Sequence, residues 1–289
     1  MPFCAGTAFL FYFHCMNEVS LNGKILPGNE PILHAANRGF RYGDALFETI
    51  KLKNEKILLA PYHFERLFSG LSLLKVDIPN FFSQEKIISE IIQLCKRNKC
   101  EELARVRLTV FRSDGGLYES SNSLQYLIEC WSLDESTNNL NENGLVIDIF
   151  PDARKSCDKF SNLKSANYLP YVMVALFAKE NKLNDCLLLN VHEHICDATI
   201  ANIFWIKEGT IYTPPLSEGC IAGVMRRYLM EQLKNVKEKI CEIKDLEEAD
   251  EIFLTNAIKG IRWVGEFRDK KYPSSGSRDL FEKYIQTLT

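Results

Sequence analysis

The chain has 289 residues, 46% of them hydrophobic, which is long enough for one large or two ordinary domains with real cores. Its 35 basic and 38 acidic residues leave a formal net charge of −3, which argues against a nucleic-acid or membrane surface and for a small-molecule substrate. The ten cysteines are scattered, none at CxxC spacing and none in a His-Cys cluster resembling a zinc site, so no metal is expected and the thiols suit a reducing, cytoplasmic setting.

Residues 3–13 (FCAGTAFLFYF) are almost wholly apolar. They are too short for a membrane span and lack the positive region that precedes a signal peptide's apolar core. Residues 1–15 read either as an extension upstream of a natural start at Met16 or as an edge strand. Asn22-Gly23 then marks a hairpin, and Ala45 to Lys53 alternates as a strand that turns at Asn54. Pro61 opens a helix whose buried stripe is Phe64, Leu67, Phe68, Leu71 and Leu74. A helix over 84–97 and strands over 103–111 and 124–131 complete a smaller α/β domain, residues 16–133. The turn-rich stretch 134–144 (DESTNNLNENG) reads as a linker, and 145–289 as a larger domain. In it we expect a strand Leu145 to Phe150, a helix of about Asn167 to Lys182 and a strand Asp185 to Asn190. Strands follow near Ile203 to Lys207 and Thr210 to Tyr212, with a helix from Gly223 to Leu233, a strand Glu251 to Thr255 and a closing helix from Arg278. Two α/β domains with a site in the cleft between them is the expected architecture.

Several residues carry candidate chemistry. Lys164 sits among small and apolar residues ahead of a helix, where shielding from water lowers an amine's pKa and makes it a nucleophile; the plain alternative is a solvated surface lysine. Asp197 is placed to pair with a heterocyclic nitrogen, or is simply a turn aspartate. Gly219 to Met225 leads glycines into a helix start, a setting in which free N–H groups meet phosphate. Arg66 offers a phosphate fork near His63, or is an exposed helix arginine beside Glu65. Thr255-Asn256 ends an apolar strand with a hydroxyl and an amide.

Taken together, NRGFRYGDALFETI, HFERL, LKSANYLPYV, DATIANIFWIKEGTIYTPPLSEGCIAGVMRR and FLTNAIKGIRWV resemble, in order, the class-IV aminotransferases, the fold-type-IV pyridoxal-phosphate enzymes. The match runs from about Asn22 to Val264. The resemblance implies a two-domain α/β (α+β) fold with pyridoxal 5'-phosphate in the interdomain cleft, 145–289 being the cofactor-binding domain. It implies Lys164 as Schiff-base lysine and general acid/base, and Asp197 where the family has glutamate at the pyridine nitrogen, one methylene shorter. Arg66, Val224, Met225 and Thr255 fall at the phosphate, and Tyr168 near the phenolic oxygen. Phe47, Arg107, Arg112, Asn256 and Ala257 fall on the substrate side, with Arg105 also in the arginine-rich strand. The spacing Lys164-x-x-Asn167 and the FETI strand lean to 4-amino-4-deoxychorismate lyase, which releases pyruvate from aminodeoxychorismate to give 4-aminobenzoate for folate synthesis. An aminotransferase acting on a branched-chain or D-amino acid is the alternative, and a non-catalytic cofactor carrier a lesser one. The resemblance also implies a homodimer, with the Asn37 to Tyr42 loop completing the partner's site.

Overall fold

A computed structural model describes residues 18–118 and 122–288; the expectations for residues 1–15 and for Thr289 lie outside them. The chain opens with β1 (Glu18–Leu21) and β2 (Lys24–Pro27), joined through Asn22 and Gly23 at φ 52° and 83°, the left-handed pair that a two-residue hairpin turn demands. There follow α1 (Arg38–Tyr42), β3 (Ala45–Lys53), β4 (Lys56–Ile57), α2 (Ala60–Leu73), α3 (Gln84–Arg97), β5 (Leu103–Arg112) and β6 (Leu124–Ser132). The strands form one sheet in the order β2-β1-β6-β5-β3-β4. Period-two alternation sends Leu46, Ile50 and Leu52 of β3 and Ala104, Val106, Leu108 and Val110 of β5 to the face covered by α2 and α3. There they meet Phe64, Leu67 and Leu71, each buried side chain stabilising the domain by about 1.5–3 kcal/mol. The opposite face carries Phe47, Thr49, Arg105 and Arg107.

The second sheet has nine strands. Its elements are β7 (Leu145–Lys155), α4 (Leu169–Glu180), β8 (Asp185–Asn190), β9 (Ile195–Ala198), β10 (Asn202–Lys207), β11 (Thr210–Thr213), α5 (Val224–Gln232), β12 (Val236–Glu238), α6 (Ile243–Glu248), β13 (Glu251–Asn256), β14 (Gly260–Phe267), β15 (Lys270–Lys271) and α7 (Ser275–Leu280). The order is β12-β11-β10-β13-β14-β7-β8-β9, with β15 on β14. Every residue of β8 is buried, as a central strand covered on both faces requires.

Three features depart from the sequence reading. The polar stretch after β6 is pinned rather than loose: Thr137 and Asn141 are buried, and Asn141 exchanges hydrogen bonds with the backbone of Trp263. Strand β7 runs five residues past Phe150, to Lys155, through a register shift between Ile149 and Arg154. Strand β9 replaces what composition presents as a polar, turn-like segment around Asp197. Among the described residues no helix is long and apolar enough to cross a membrane.

Candidate active site

Beyond Lys155 the chain returns to the first sheet. The Phe47 N–H donates to the Lys164 carbonyl at 2.9 Å, the Ala166 N–H donates to the Ala45 carbonyl at 2.8 Å, and Ser165 bridges Leu46. The Lys164 segment thus adds to the edge of β3 and presents its side chain between the two sheets. There it lines a cavity of about 690 Å³, within the range of small-molecule sites. Its Nζ stands 4.5 Å from the Phe47 ring centroid and 5.6 Å from that of Tyr168. Among the described residues no carboxylate forms a salt bridge with it. Burial, then the nearby Arg66 charge, pulls the ammonium down to about 8.

At one end of the cavity lies Asp197, on β9 rather than in a turn, and 2% exposed. Its Oδ2 accepts from Lys155 Nζ at 2.8 Å, the Tyr171 hydroxyl at 2.9 Å and the Ile221 N–H at 2.9 Å. Among the described residues its Oδ1 accepts only from Asn202 Nδ2, at 3.1 Å, and keeps capacity for another donor. Glu193, the nearest glutamate in sequence, sits at φ 63° in an exposed turn paired with Arg154. Tyr168 stacks on Tyr171 at 4.4 Å and donates to the Thr199 carbonyl at 3.2 Å. Burial, with the Asp197 charge, raises its phenol well above the usual range and keeps it protonated.

At the other end are Arg66, Val224, Met225 and Thr255. Arg66 is not the exposed helix arginine of the plain reading. Its Nε and Nη2 clasp Glu48 at 2.8 and 2.5 Å, and its Nη1 donates to the Ala222 carbonyl at 2.9 Å. Those bonds use three of a guanidinium's five N–H donors and leave two. Burial opposes ionisation of Glu48, but Arg66 and the His63 ring, 2.6 Å away, hold the carboxyl down to about 2. Helix α5 starts at Gly223 with no side-chain cap, so its first N–H groups are open to an anion. A Cβ on Gly223 would stand 1.8 Å from Asn202 Oδ1, so only glycine permits this approach. The Thr255 Oγ1 is buried without a partner among the described residues.

Phe47 and Arg107 stack at 3.9 Å on the cavity wall, and Asn256 and Ala257 also line it. The Asn256 side-chain carbonyl is engaged by the N–H groups of Ile258 and Lys259, which leaves only its amide end. Arg112 does not line the cavity. Its guanidinium is taken by Asp44, Asn122 at 3.2 Å and the Leu74 carbonyl, because it extends from the far end of β5. Sequence reasoning passed over Glu48, Lys155, Tyr171 and Asn202. Glu48, Tyr171 and Asn202 had a local signal, their places in FETI, LKSANYLPYV and DATIANIF, whereas Lys155 reaches Asp197 from a segment outside every motif.

A shielded lysine between an antiparallel sheet and a mixed one, with a buried aspartate at one end and an uncapped helix start at the other, makes a cleft that suits a phosphorylated heterocycle. Residues 45–267 match the model of amino-transferase class IV, and the chain belongs to that family. It is similar to an aminodeoxychorismate lyase of Bacillus subtilis (strain 168), 29% identical over 93% of this chain and 95% of the relative. It is also similar to a D-alanine aminotransferase of Bacillus licheniformis, 24% identical over 93% and 95%. The branched-chain aminotransferase of Thermoproteus uzoniensis, solved with norvaline, shares the fold at a TM-score of 0.82 and 20% identity, covering 93% of each chain. Another branched-chain amino acid aminotransferase of this fold is solved with pyridoxamine 5'-phosphate. The chain is therefore an enzyme of the lyase or aminotransferase kind, in a family that uses pyridoxal phosphate. Its residues fit that group. The orphaned Thr255 hydroxyl, the spare Arg66 donors and the α5 N-terminus suit a phosphate, Asp197 Oδ1 a ring N–H, and the unpaired Lys164 amine an aldehyde.

Proposed function

We propose that the chain is an aminodeoxychorismate lyase, in which Lys164 is the catalytic base and Asp197, Arg66, Tyr168, Val224, Met225 and Thr255 hold the cofactor. The observation that carries this reading is charge. Arg105, Arg107 and Lys259 line the same cavity as Lys164, and among the described residues none of the three forms a salt bridge. Three cations, with Glu129 opposite Arg107 as the nearby carboxylate on the strand, suit a substrate with two carboxylates, such as aminodeoxychorismate, better than one with a single carboxylate.

Bound pyridoxal phosphate supplies an electron-withdrawing ring that accepts the pair left when a substrate C–H bond breaks. Lys164, with its proton held weakly, takes the proton from the amine-bearing carbon. Asp197 keeps a proton on the ring nitrogen, itself oriented by Lys155 and Tyr171. The C–O bond to the enolpyruvyl group breaks, the proton that Lys164 took passes to the departing oxygen so that pyruvate leaves as its enol, and the remaining ring becomes aromatic 4-aminobenzoate, a folate precursor. No co-reactant is consumed, whereas an aminotransferase needs a 2-oxo acid. The apolar wall of Phe47, Val172, Ile200 and Ile258 favours a second reading, an aminotransferase for an aliphatic branched-chain or D-amino acid.

Aminodeoxychorismate given to the enzyme without any 2-oxo acid should yield pyruvate and 4-aminobenzoate in equal amounts. No pyruvate, together with conversion of the cofactor to its pyridoxamine form by an amino acid, would sink the lyase. Borohydride should fix the cofactor to Lys164, read by peptide mapping; attachment to another lysine removes Lys164 from the mechanism. A homodimer belongs to the proposal: Phe40 on α1 and Tyr42 at its end are 78% and 40% exposed. A monomer in sedimentation velocity would remove that part.

A further inference from the structure

The sequence presents its cysteines as scattered, yet the fold gathers three of them far from the cofactor cleft. Cys95 lies in the last turn of α3, Cys100 just before β5 and Cys130 on β6. Lys99 takes a left-handed φ of 56°, and the Cys100 N–H donates to the Cys95 carbonyl at 2.9 Å, folding the chain back so that the two side chains meet. Cys130 reaches the same point because alternation on β6 turns it toward the α3 side, with Tyr126 and Ile128. The three Sγ atoms lie within 4.8 Å of one another, and those of Cys100 and Cys130 are 3.7 Å apart.

We propose that Cys95, Cys100 and Cys130 form a trigonal all-sulfur site for a soft monovalent metal ion, copper(I). Metal–sulfur bonds of about 2.3 Å in a trigonal plane put the sulfurs roughly 4 Å apart, so the group encloses such an ion after shifts of a few tenths of an ångström. No histidine, aspartate or glutamate joins the group among the described residues. The cysteines are 0%, 5% and 1% exposed, which leaves no place for a water ligand. Zinc wants four ligands and hard cations want oxygen, whereas copper(I) accepts three thiolates. A second contact supports ligation. Asn98 Nδ2 donates to Cys130 Sγ at 3.1 Å, and Asn98 is itself locked by two hydrogen bonds to the Glu18 backbone. A fixed donor to a sulfur stabilises the thiolate and orients it, as outer partners do in metal sites. The C-terminal end of α3, with its partial negative charge, lies over the site and favours a cation. Each sulfur that ligates as thiolate releases one proton to solvent, so binding weakens as pH falls.

The test is anaerobic titration of the reduced, cofactor-loaded enzyme with copper(I) against a chromophoric copper(I) chelator. The expected result is one equivalent withheld from the chelator, thiolate-to-copper absorption in the ultraviolet, and X-ray absorption showing three sulfur neighbours only. Cys130→Ser and Cys95→Ser should each lose the retained equivalent, while Cys157→Ser, outside the cluster, keeps it. X-ray absorption on the unmodified enzyme decides the matter even where a variant folds poorly. No copper withheld, nitrogen or oxygen in the coordination shell, or full retention by folded Cys130→Ser would overturn the assignment.

Discussion

Asp197→Asn separates what the carboxylate does for the fold from what it does for the chemistry. Three donors converge on Oδ2, so the asparagine carbonyl will stay there and its NH2 group will take the place of Oδ1, facing Asn202 and the cavity. Lys155, whose side chain is 13% exposed, then keeps its charge without an anionic partner. Removing one member of a buried pair costs about 3–5 kcal/mol. A donor now stands where the ring N–H needs an acceptor, so the ring nitrogen loses its proton. Loss of one such electrostatic contact lowers kcat by about 10²–10³. Thermal unfolding and kcat, measured at full cofactor loading, read the two effects apart. Adding Lys155→Met removes the stranded charge, so the double variant should regain most of the stability and none of the turnover. Wild-type kcat in loaded Asp197→Asn, or recovery of kcat in the double variant, would refute the reasoning.

Thr255→Val should leave the apoprotein as stable as before or slightly more so, because it deletes a buried unpaired hydroxyl. It should weaken cofactor binding by about tenfold or more, the worth of one hydrogen bond to a charged group, measured by dialysis or fluorescence titration; unchanged affinity removes Thr255 from the phosphate site. Gly223→Ala drives Asn202 off its bonds to Asp197 and the Ile221 carbonyl, so both cofactor affinity and kcat should fall, while a tight, fully active variant would show that the cradle gives way freely. The Lys164 proton leaves at about 8 rather than 10.5. The unfolded chain therefore binds more protons between those values, and apoprotein stability should rise with pH across that window. The rate of covalent cofactor attachment should level off just above pH 8; a rate still climbing toward pH 10 would contradict a shielded amine.

Much of the fold was legible because local rules and tertiary packing agree. Asn22-Gly23, the alternation in 45–53 and the helical stripe led by Phe64 each name their element, and α2 and α3 begin and end within a residue or two of the expected bounds. Strand β9 was not legible, since four residues carrying an aspartate look like a turn until β8 pairs with them and Lys155 neutralises the charge. The pinned connector was hidden for a similar reason. Asn141 looks like a linker residue, and only the partner backbone, 122 positions away, makes it a buried one.

By itself the sequence determined the longer elements and the family, and it singled out Lys164 as the candidate amine, because periodicity and an ordered set of short motifs are carried by residue type. Only the tertiary structure decided how those residues are held: that Arg66 is clasped by Glu48, that Arg112 turns away to Asp44, and that Lys155 and Tyr171 hold Asp197. It also gathered three distant cysteines at one point. The physical reason is range. Residue type and periodicity act over a turn or a strand, whereas charge pairing, burial and shared donors act between elements that meet only when both sheets are packed.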